Sequence, residues 1–373
     1  MTSVDPRFSL EACNFSEIEG WKEDDPRPVF PALARCLDHI DRIKPYRTGS
    51  IGLTSADLAA ALVEMPEASE ISAESARTFF EDRFVPFRIV PEAGTHGLVT
   101  AFYEPVVEVA DKEDEIYRYP FYRQPSDLIE VTESLTPPDW NPEYRFGRRT
   151  SKGLEIYPDR QAIDCGFLAG QNLEIAWAKS KVDVFFAHVQ GAARLAFADG
   201  RQLRITYAAK SGHPFSGIGR YLVEAGEIPT AGISMQAIRH WLAEHPDRVD
   251  QVLWRNRSYI FFRETPVDDP DLGPIAAAKV QLVPGRSLAV DRTIHTFGFP
   301  FFIRAETITH MDDGRPFARL MLALDTGSAI LGSARGDIFT GSGNAAGEMA
   351  GAVKNDADFF ILIPKHVAPR FVG

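Results

Sequence analysis

From Lys279 to the C-terminus the chain is built of apolar runs too short to make helices, separated by Gly and Pro turns. Val280–Val283, Ser287–Val290, Phe301–Ile303, Leu320–Leu324 and Phe359–Leu362 read as strands, because β-branched and aromatic residues suit a pleated, half-buried surface. Many short strands at this spacing predict a β-barrel whose partners lie far apart in sequence. The same texture appears at Phe87–Val90 and Gly97–Tyr103, while the middle of the chain is mixed. A barrel made from both ends of the chain follows, with residues 1–105 plus 260–373 forming one domain and residues 106–259 inserted as a second.

Helices precede the first strands. Pro31–Ile43 carries Leu33, Cys36, Leu37 and Ile40 on one stripe, and Thr54–Met65 and Ser72–Phe84 begin at Ser/Thr caps. In the insertion, Asp111–Glu115 reads as a solvated hairpin loop and Thr136–Phe146 as a long loop. Asp159–Gly166 suggests one or two helical turns, and Leu173–Phe186 a helix running into a strand. Ala193–Ala208 reads as a hairpin about Ala198-Asp199-Gly200, and Gly217–Ala225 and Ser234–His245 as amphipathic helices.

The length of 373 residues suits two domains. Lys and Arg total 40 against 52 Asp and Glu, so the net charge of −12 argues against a nucleic-acid partner, which needs clustered cations. Hydrophobic residues at 45% exclude wholesale disorder, and no apolar run is long enough to predict a membrane-spanning helix. Met1–Asp25 has neither a basic nor an apolar region, so it does not read as a signal peptide. Leu10-Glu-Ala-Cys13 lacks the apolar segment that precedes a lipidated cysteine, and Cys13, Cys36 and Cys165 read as incidental thiols.

No phosphate-binding loop and no His-Glu-x-x-His occurs, and His240 and His245 fall on different faces of a helix, so no metal site is expected. Gly341–Gly347 has one residue too many for GxGxxG; it reads as a turn into a helix at Ala345–Val353, either purely structural or offering free N–H groups to a polar ligand. The densest chemistry lies in Leu322-Ala-Leu-Asp-Thr-Gly-Ser-Ala-Ile330, followed by Arg335-Gly-Asp337-Ile-Phe. Asp325 ends an apolar strand, Asp337 precedes a second apolar pair, and Asp291 sits in Ala289-Val-Asp-Arg. Aspartate is depleted in strands, so each either caps a turn or does chemistry. Leu-Asp-Thr-Gly-Ser-Ala is similar to an aspartic-protease loop, but that reaction needs two such loops and the chain has one, leaving only a symmetric dimer to supply the second.

A wider pattern carries more. Gly97-Leu-Val-Thr-Ala-Phe-Tyr-Glu-Pro105, Tyr119-Pro-Phe-Tyr-Arg123, Asp159-Arg-Gln-Ala-Ile163, Glu174-Ile-Ala-Trp-Ala178, Val182-Asp-Val-Phe-Phe186, Val189-Gln-Gly191, Ile218-Gly-Arg-Tyr-Leu222, Ser234-Met-Gln-Ala-Ile-Arg239, Ser258-Tyr-Ile-Phe-Phe262 and the tail from Asp325 to Lys365 occur in order. Together they resemble the membrane-bound lytic murein transglycosylase A family, and the C-terminal part resembles its three-aspartate domain, with Asp291, Asp325 and Asp337 in the three positions.

That resemblance implies a mainly β, α+β fold: a double-ψ β-barrel, an inserted second β-rich domain, and a groove between them. The implied substrate is the glycan strand of peptidoglycan, cut without water between N-acetylmuramic acid and N-acetylglucosamine to leave a 1,6-anhydromuramoyl end. The implied catalytic residues are Asp337 and its neighbour Asp325. Thr100, Tyr103, Gln190, Gly327 and Ser328 are the implied substrate contacts. No cofactor or metal is implied. The expected setting is the periplasm, in association with the outer membrane, as a monomer, with membership of a wall-remodelling complex open and the export signal outside this chain. A barrel that only binds peptidoglycan is the alternative. Two departures stand out: Gln190-Gly-Ala-Ala193 where the family commonly has Gln-Gly-Ser-Gly, and a spacing of 337 − 325 = 12 between the two aspartates, one longer than in some relatives.

Overall fold

In the computed structural model, which describes residues 8–92, 96–132, 136–141 and 144–372, the chain opens with strand β1 (Phe8–Ala12) and the three expected helices, α1 (Phe30–Arg42), α2 (Ser55–Ala61) and α3 (Ala73–Arg83). The α1 stripe buries Leu33 and Cys36 completely. Thr54 and Asp57 cap α2 reciprocally, and the Ser72 hydroxyl accepts the Ser75 N–H at the start of α3. Strands β2 (Phe84–Pro91) and β3 (Leu98–Glu104) follow.

Next come β4 (Val106–Ala110), β5 (Tyr119–Tyr122), β6 (Leu128–Glu130), β7 (Phe146–Thr150), β8 (Gly153–Glu155), α4 (Arg160–Ala162), β9 (Glu174–Ala178), α5 (Lys181–Gln190), β10 (Ala192–Phe197), β11 (Gln202–Lys210), α6 (Ile218–Glu224), α7 (Met235–Glu244), α8 (Val249–Leu253) and β12 (Ile260–Thr265). The chain ends with β13 (Ser287–Val290), β14 (Pro300–Ala305), β15 (Phe317–Asp325), β16 (Arg335–Ser342), α9 (Asn344–Gly351), β17 (Lys354–Asp356) and β18 (Asp358–Pro364).

Two local expectations are corrected. Leu173–Phe186 runs strand first and helix second, because the Ser180 hydroxyl accepts the N–H groups of Val182 and Asp183 and starts α5 there. Val280–Val283 is not a strand: Lys279 adopts a left-handed φ of 63° and the segment folds back, pairing Gln281 with Ile275. Of the expected loop Thr136–Phe146, residues 142 and 143 lie outside the described residues, as do residues 1–7 of the N-terminal segment.

The chain forms two compact units. The first comprises residues 1–103, 270–341 and 345–373; the second comprises residues 104–269 and 342–344. The expected boundaries lay at 105/106 and 259/260, and a short return of the chain at 342–344 was not anticipated. The first unit is organised by a nine-stranded sheet in the order β1-β2-β18-β14-β15-β13-β16-β3-β17. Its central strands are apolar and buried along most of their length, as in β14 and β15, because both faces are covered. The class is α+β, as expected, and the hydrogen-bonded order ends at β1 and β17, with no pairing among the described residues that closes it. The second unit has a six-stranded sheet, β12-β11-β10-β4-β9-β5, and a three-stranded one, β6-β7-β8.

The second unit begins on a buried charge cluster. Glu104 is 1% exposed and receives Arg194 at 3.1 Å and Arg204 through its Nε, while the Ser342 hydroxyl donates to it at 2.6 Å. One carboxylate thus holds the end of β3, strands β10 and β11, and the returning segment at Ser342. Removing the one carboxylate of a buried charge cluster leaves buried positive charge uncompensated and costs about 3–5 kcal/mol. Glu104→Ala is therefore expected to lower the unfolding free energy by about that amount in urea titration; an unchanged midpoint would show that the cluster does not hold these strands.

Candidate active site

The short strand β13 organises the site. It pairs in parallel with β15 on one side and antiparallel with β16 on the other. Ser287 and Leu288 face Leu322 and Ala323, so a regular ladder would set Ala289 against Leu324. Instead the register shifts by one residue and Ala289 faces Asp325. On its other side Ala289 faces Asp337. The two aspartates therefore occupy one row across three strands, with Cα atoms roughly 10 Å apart at the usual strand spacing. A bulge of this kind re-aims one side chain at the cost of local pairing. Gly336, next to Asp337, has no room for a Cβ, which would lie 2.8 Å from Leu288 and 2.9 Å from Phe359.

Each carboxyl has its own partners. The Thr100 hydroxyl, on β3, donates to Asp337 Oδ1, and Arg335 Nη2 donates to that hydroxyl at 2.7 Å. Asp325 accepts the Ala277 N–H at 3.2 Å. The loop carrying Ala277 is sewn to β15 by Ala278 N–H to Leu324 carbonyl at 2.9 Å, and to Tyr46, whose hydroxyl donates to the Ala278 carbonyl at 2.8 Å.

Burial disfavours the charged form of both groups. It pushes Asp325 up to about 6, aided by the negative charge of Asp337 and opposed by backbone N–H groups and Lys279. Burial likewise raises Asp337, opposed by the Thr100 hydrogen bond and the charge of Arg335.

Asp291 has a different place. Its carboxylate accepts the Thr293 N–H at 3.0 Å, the Thr293 hydroxyl at 2.6 Å and the Gly332 N–H at 2.8 Å. It caps its own turn and ties down the loop between β15 and β16. Buried His295 helps, its Nε2–H donating to the Ser333 carbonyl at 2.7 Å. The capping alternative for Asp291 is the one its contacts support.

Of the expected substrate contacts, Thr100 meets Asp337 and Arg335. Gly327 and Ser328 lie exposed in the loop that follows Asp325. Tyr103 is 7% exposed and its ring fills the space over Gly347 in α9, where a Cβ would approach it to 2.8 Å. Gln190 belongs to the second unit, at the end of α5, where it lines an apolar cavity of about 210 Å³ with Phe185, Phe186 and Phe215. Gly191 after it is left-handed, φ 75°, and closes the helix, while Ala192 and Ala193 are buried in β10. Sequence reasoning gave Arg335 no role, although a spacing of two along a strand places it on the same face as Asp337.

A carboxyl whose folded pKa is raised costs stability once it must ionise. The penalty from Asp325 is absent below the ordinary value of 3.8, grows as pH rises, and is complete above about 6. Asp325→Asn is therefore expected to raise Tm at pH 8 and leave it unchanged at pH 3.5; equal Tm values at both pH values would contradict the buried-carboxyl description.

The MltA specific insert domain matches residues 98–263, and the 3D domain matches residues 286–363. The membrane-bound lytic murein transglycosylase A of Escherichia coli (strain K12) is 32% identical over 257 residues, 68% of this chain and 61% of that protein. The protein of the same name from Vibrio cholerae is 29% identical over 263 residues, 69% of this chain and 63% of that protein. The chain thus spans about three fifths of the length of the curated relatives it matches. Among solved structures, MltA from Neisseria gonorrhoeae gives a TM-score of 0.77 at 30% identity, covering 95% of this chain and 92% of that one. A membrane-bound lytic murein transglycosylase from Agrobacterium tumefaciens gives 0.91 at 58% identity, covering 98% of this chain and 100% of that one. On the insert and 3D domains together with that full-length likeness, the chain belongs to the membrane-bound lytic murein transglycosylase A (MltA) family.

Proposed function

We propose that this protein is a peptidoglycan lytic transglycosylase that cleaves the β-1,4 bond between N-acetylmuramic acid and N-acetylglucosamine and leaves a 1,6-anhydromuramoyl end. The observation that carries the reading is the pair of half-buried carboxyls set in one strand row, in a chain of this family. The names of its relatives place their activity on murein and at a membrane, which supports a wall glycan as substrate and a periplasmic, membrane-associated setting.

Hydrolytic glycosidases need one carboxyl as acid and a second as nucleophile or base. An intramolecular nucleophile relaxes that need. The C6 hydroxyl of the muramoyl sugar attacks its own C1, so one carboxyl serves both proton transfers. Asp337, whose neutral form burial favours, gives its proton to the glycosidic oxygen as the C1–O bond breaks. The resulting carboxylate then takes the C6 hydroxyl proton as that oxygen bonds to C1. Protons balance, and Asp337 ends as it began. Asp325 is the neighbouring carboxyl in the same strand row, and a charge on either one disfavours a charge on the other. Thr100 touches the reacting carboxyl, and Gly327, Ser328, Tyr103 and Gln190 are proposed sugar contacts.

The test is digestion of purified murein sacculi with mass spectrometry of the released muropeptides. Anhydro-ended products are expected from the wild type, and Asp337→Asn is expected to lower their release by roughly 10²–10⁴-fold. Asp325→Asn should retain activity. Loss of its charge lowers the Asp337 pKa, so the alkaline limb of the pH profile moves to lower pH. Loss as complete as in Asp337→Asn would contradict the division of roles. Sacculi bound without any product would favour a binding protein.

A further inference from the structure

We propose that Arg335 is a positioning residue for Asp337, acting through the Thr100 hydroxyl, and that it thereby assigns the catalytic proton to Oδ2 of Asp337. The inference rests on the transglycosylase reading for its kinetic consequence, but its structural content does not.

Arg335 stands two residues before Asp337 on β16, so both side chains leave the same face of the strand. They form no direct ion pair; the Thr100 hydroxyl stands between them. A guanidinium has donors only. Its Nη2–H at 2.7 Å therefore occupies a lone pair of Thr100 Oγ1, and the single hydroxyl proton turns away from it. It points at Asp337 Oδ1. An oxygen that accepts the Thr100 proton is not the one that carries the acid proton. In the protonated state Oδ1 is thus the carbonyl oxygen and Oδ2 the O–H. When Asp337 has given up its proton, the same hydrogen bond stabilises the carboxylate, and Oδ2 is the oxygen free to take the C6 hydroxyl proton.

The guanidinium is itself held. Its Nη1 donates to the Gly336 carbonyl while Nη2 donates to Thr100. Two donors in a fixed fork make this geometry, which a single ammonium cannot reproduce at both ends. Without Arg335 the Thr100 hydroxyl is free to turn and accept a proton from Oδ1, and the acid proton is shared between two oxygens of which only one is aimed at the substrate. The other ionisable groups around the pair are Asp325 at the end of β15, Lys279 in the loop before β13, which acts on Asp325, and exposed Lys354, which faces Thr100 across β17.

Two measurements test this. The first needs no activity: the Asp337 carboxyl is titrated by carbon NMR, assigned by its loss in Asp337→Asn. Arg335→Met is expected to raise its pKa, since a cation and an oriented hydrogen bond to the charged form are both lost. An unchanged titration would overturn the proposal even if the protein has no murein activity. The second is the pH profile of anhydro-muropeptide release. Arg335→Met should lower kcat by up to about 100-fold with little change in KM, and move the alkaline limb to higher pH. Arg335→Lys should restore the limb better than the rate. Thr100→Val should lower kcat likewise, and the double variant should be no slower than Thr100→Val alone, because Arg335 acts through that hydroxyl. Additive losses, or a change confined to KM, would show instead that Arg335 binds substrate directly. Tm measured on every variant separates these outcomes from misfolding. A wild type that releases no anhydro product refutes the transglycosylase reading, and the NMR titration still decides the Arg335 assignment.

Discussion

One residue of register decides whether Asp325 shares a strand row with Asp337. Between Leu288 and Ala289 the pairing of β13 with β15 slips, and Asp325 instead of Leu324 comes opposite Ala289. Side chains alternate faces along a strand, so a regular ladder would leave Leu324 in the row and turn Asp325 to the other face. With the slip, Asp325 and Asp337 flank the same small residue from two sides. The rest of the first unit serves that arrangement. Gly336 lets β16 lie close to Leu288 and Phe359, and Asp291 and His295 hold the loop that joins the two aspartate-bearing strands.

The three aspartates of the C-terminal part then divide by what surrounds them. Asp291 spends its carboxylate on two N–H groups and a hydroxyl, and is structural. Asp325 and Asp337 have fewer donors and are burdened by burial, which raises both. A carboxyl that must first give and then take a proton needs neither form to be strongly preferred. At Asp337, burial favours the neutral form while Thr100 and Arg335 favour the charged one. The opposition of these effects brings the two forms closer in energy than either influence alone.

Much of this was legible in the sequence. The helical stripe at Leu33, Cys36 and Ile40, the caps at Thr54 and Ser72, and the hairpin at Ala198-Asp199-Gly200 each express a local preference that the fold keeps. The β texture at both ends of the chain located the strands that share one sheet. What was not legible depended on partners distant in sequence. β16 looked like an apolar pair and is eight residues long, because it lies between β13 and β3 and is supported on both edges. Val280–Val283 has strand composition yet folds back on Ile275, as Lys279 takes a left-handed turn. Asp325 at a strand end was readable from Leu-Asp-Thr-Gly, but the bulge that aims it was not. Arg335 was visible in Arg335-Gly-Asp337; only the placement of Thr100 on the adjacent strand shows what it is for.

The central claim is the proposed attack on C1 by a sugar hydroxyl in place of water, which would let one carboxyl suffice. Digestion of sacculi in ¹⁸O-labelled water tests it most directly, because only a water nucleophile leaves its oxygen at the new end. The account predicts anhydromuramoyl products with no ¹⁸O at C1. Reducing muramoyl ends carrying ¹⁸O, formed by the enzyme at the same rate as total cleavage, would contradict it and require a second carboxyl to activate water.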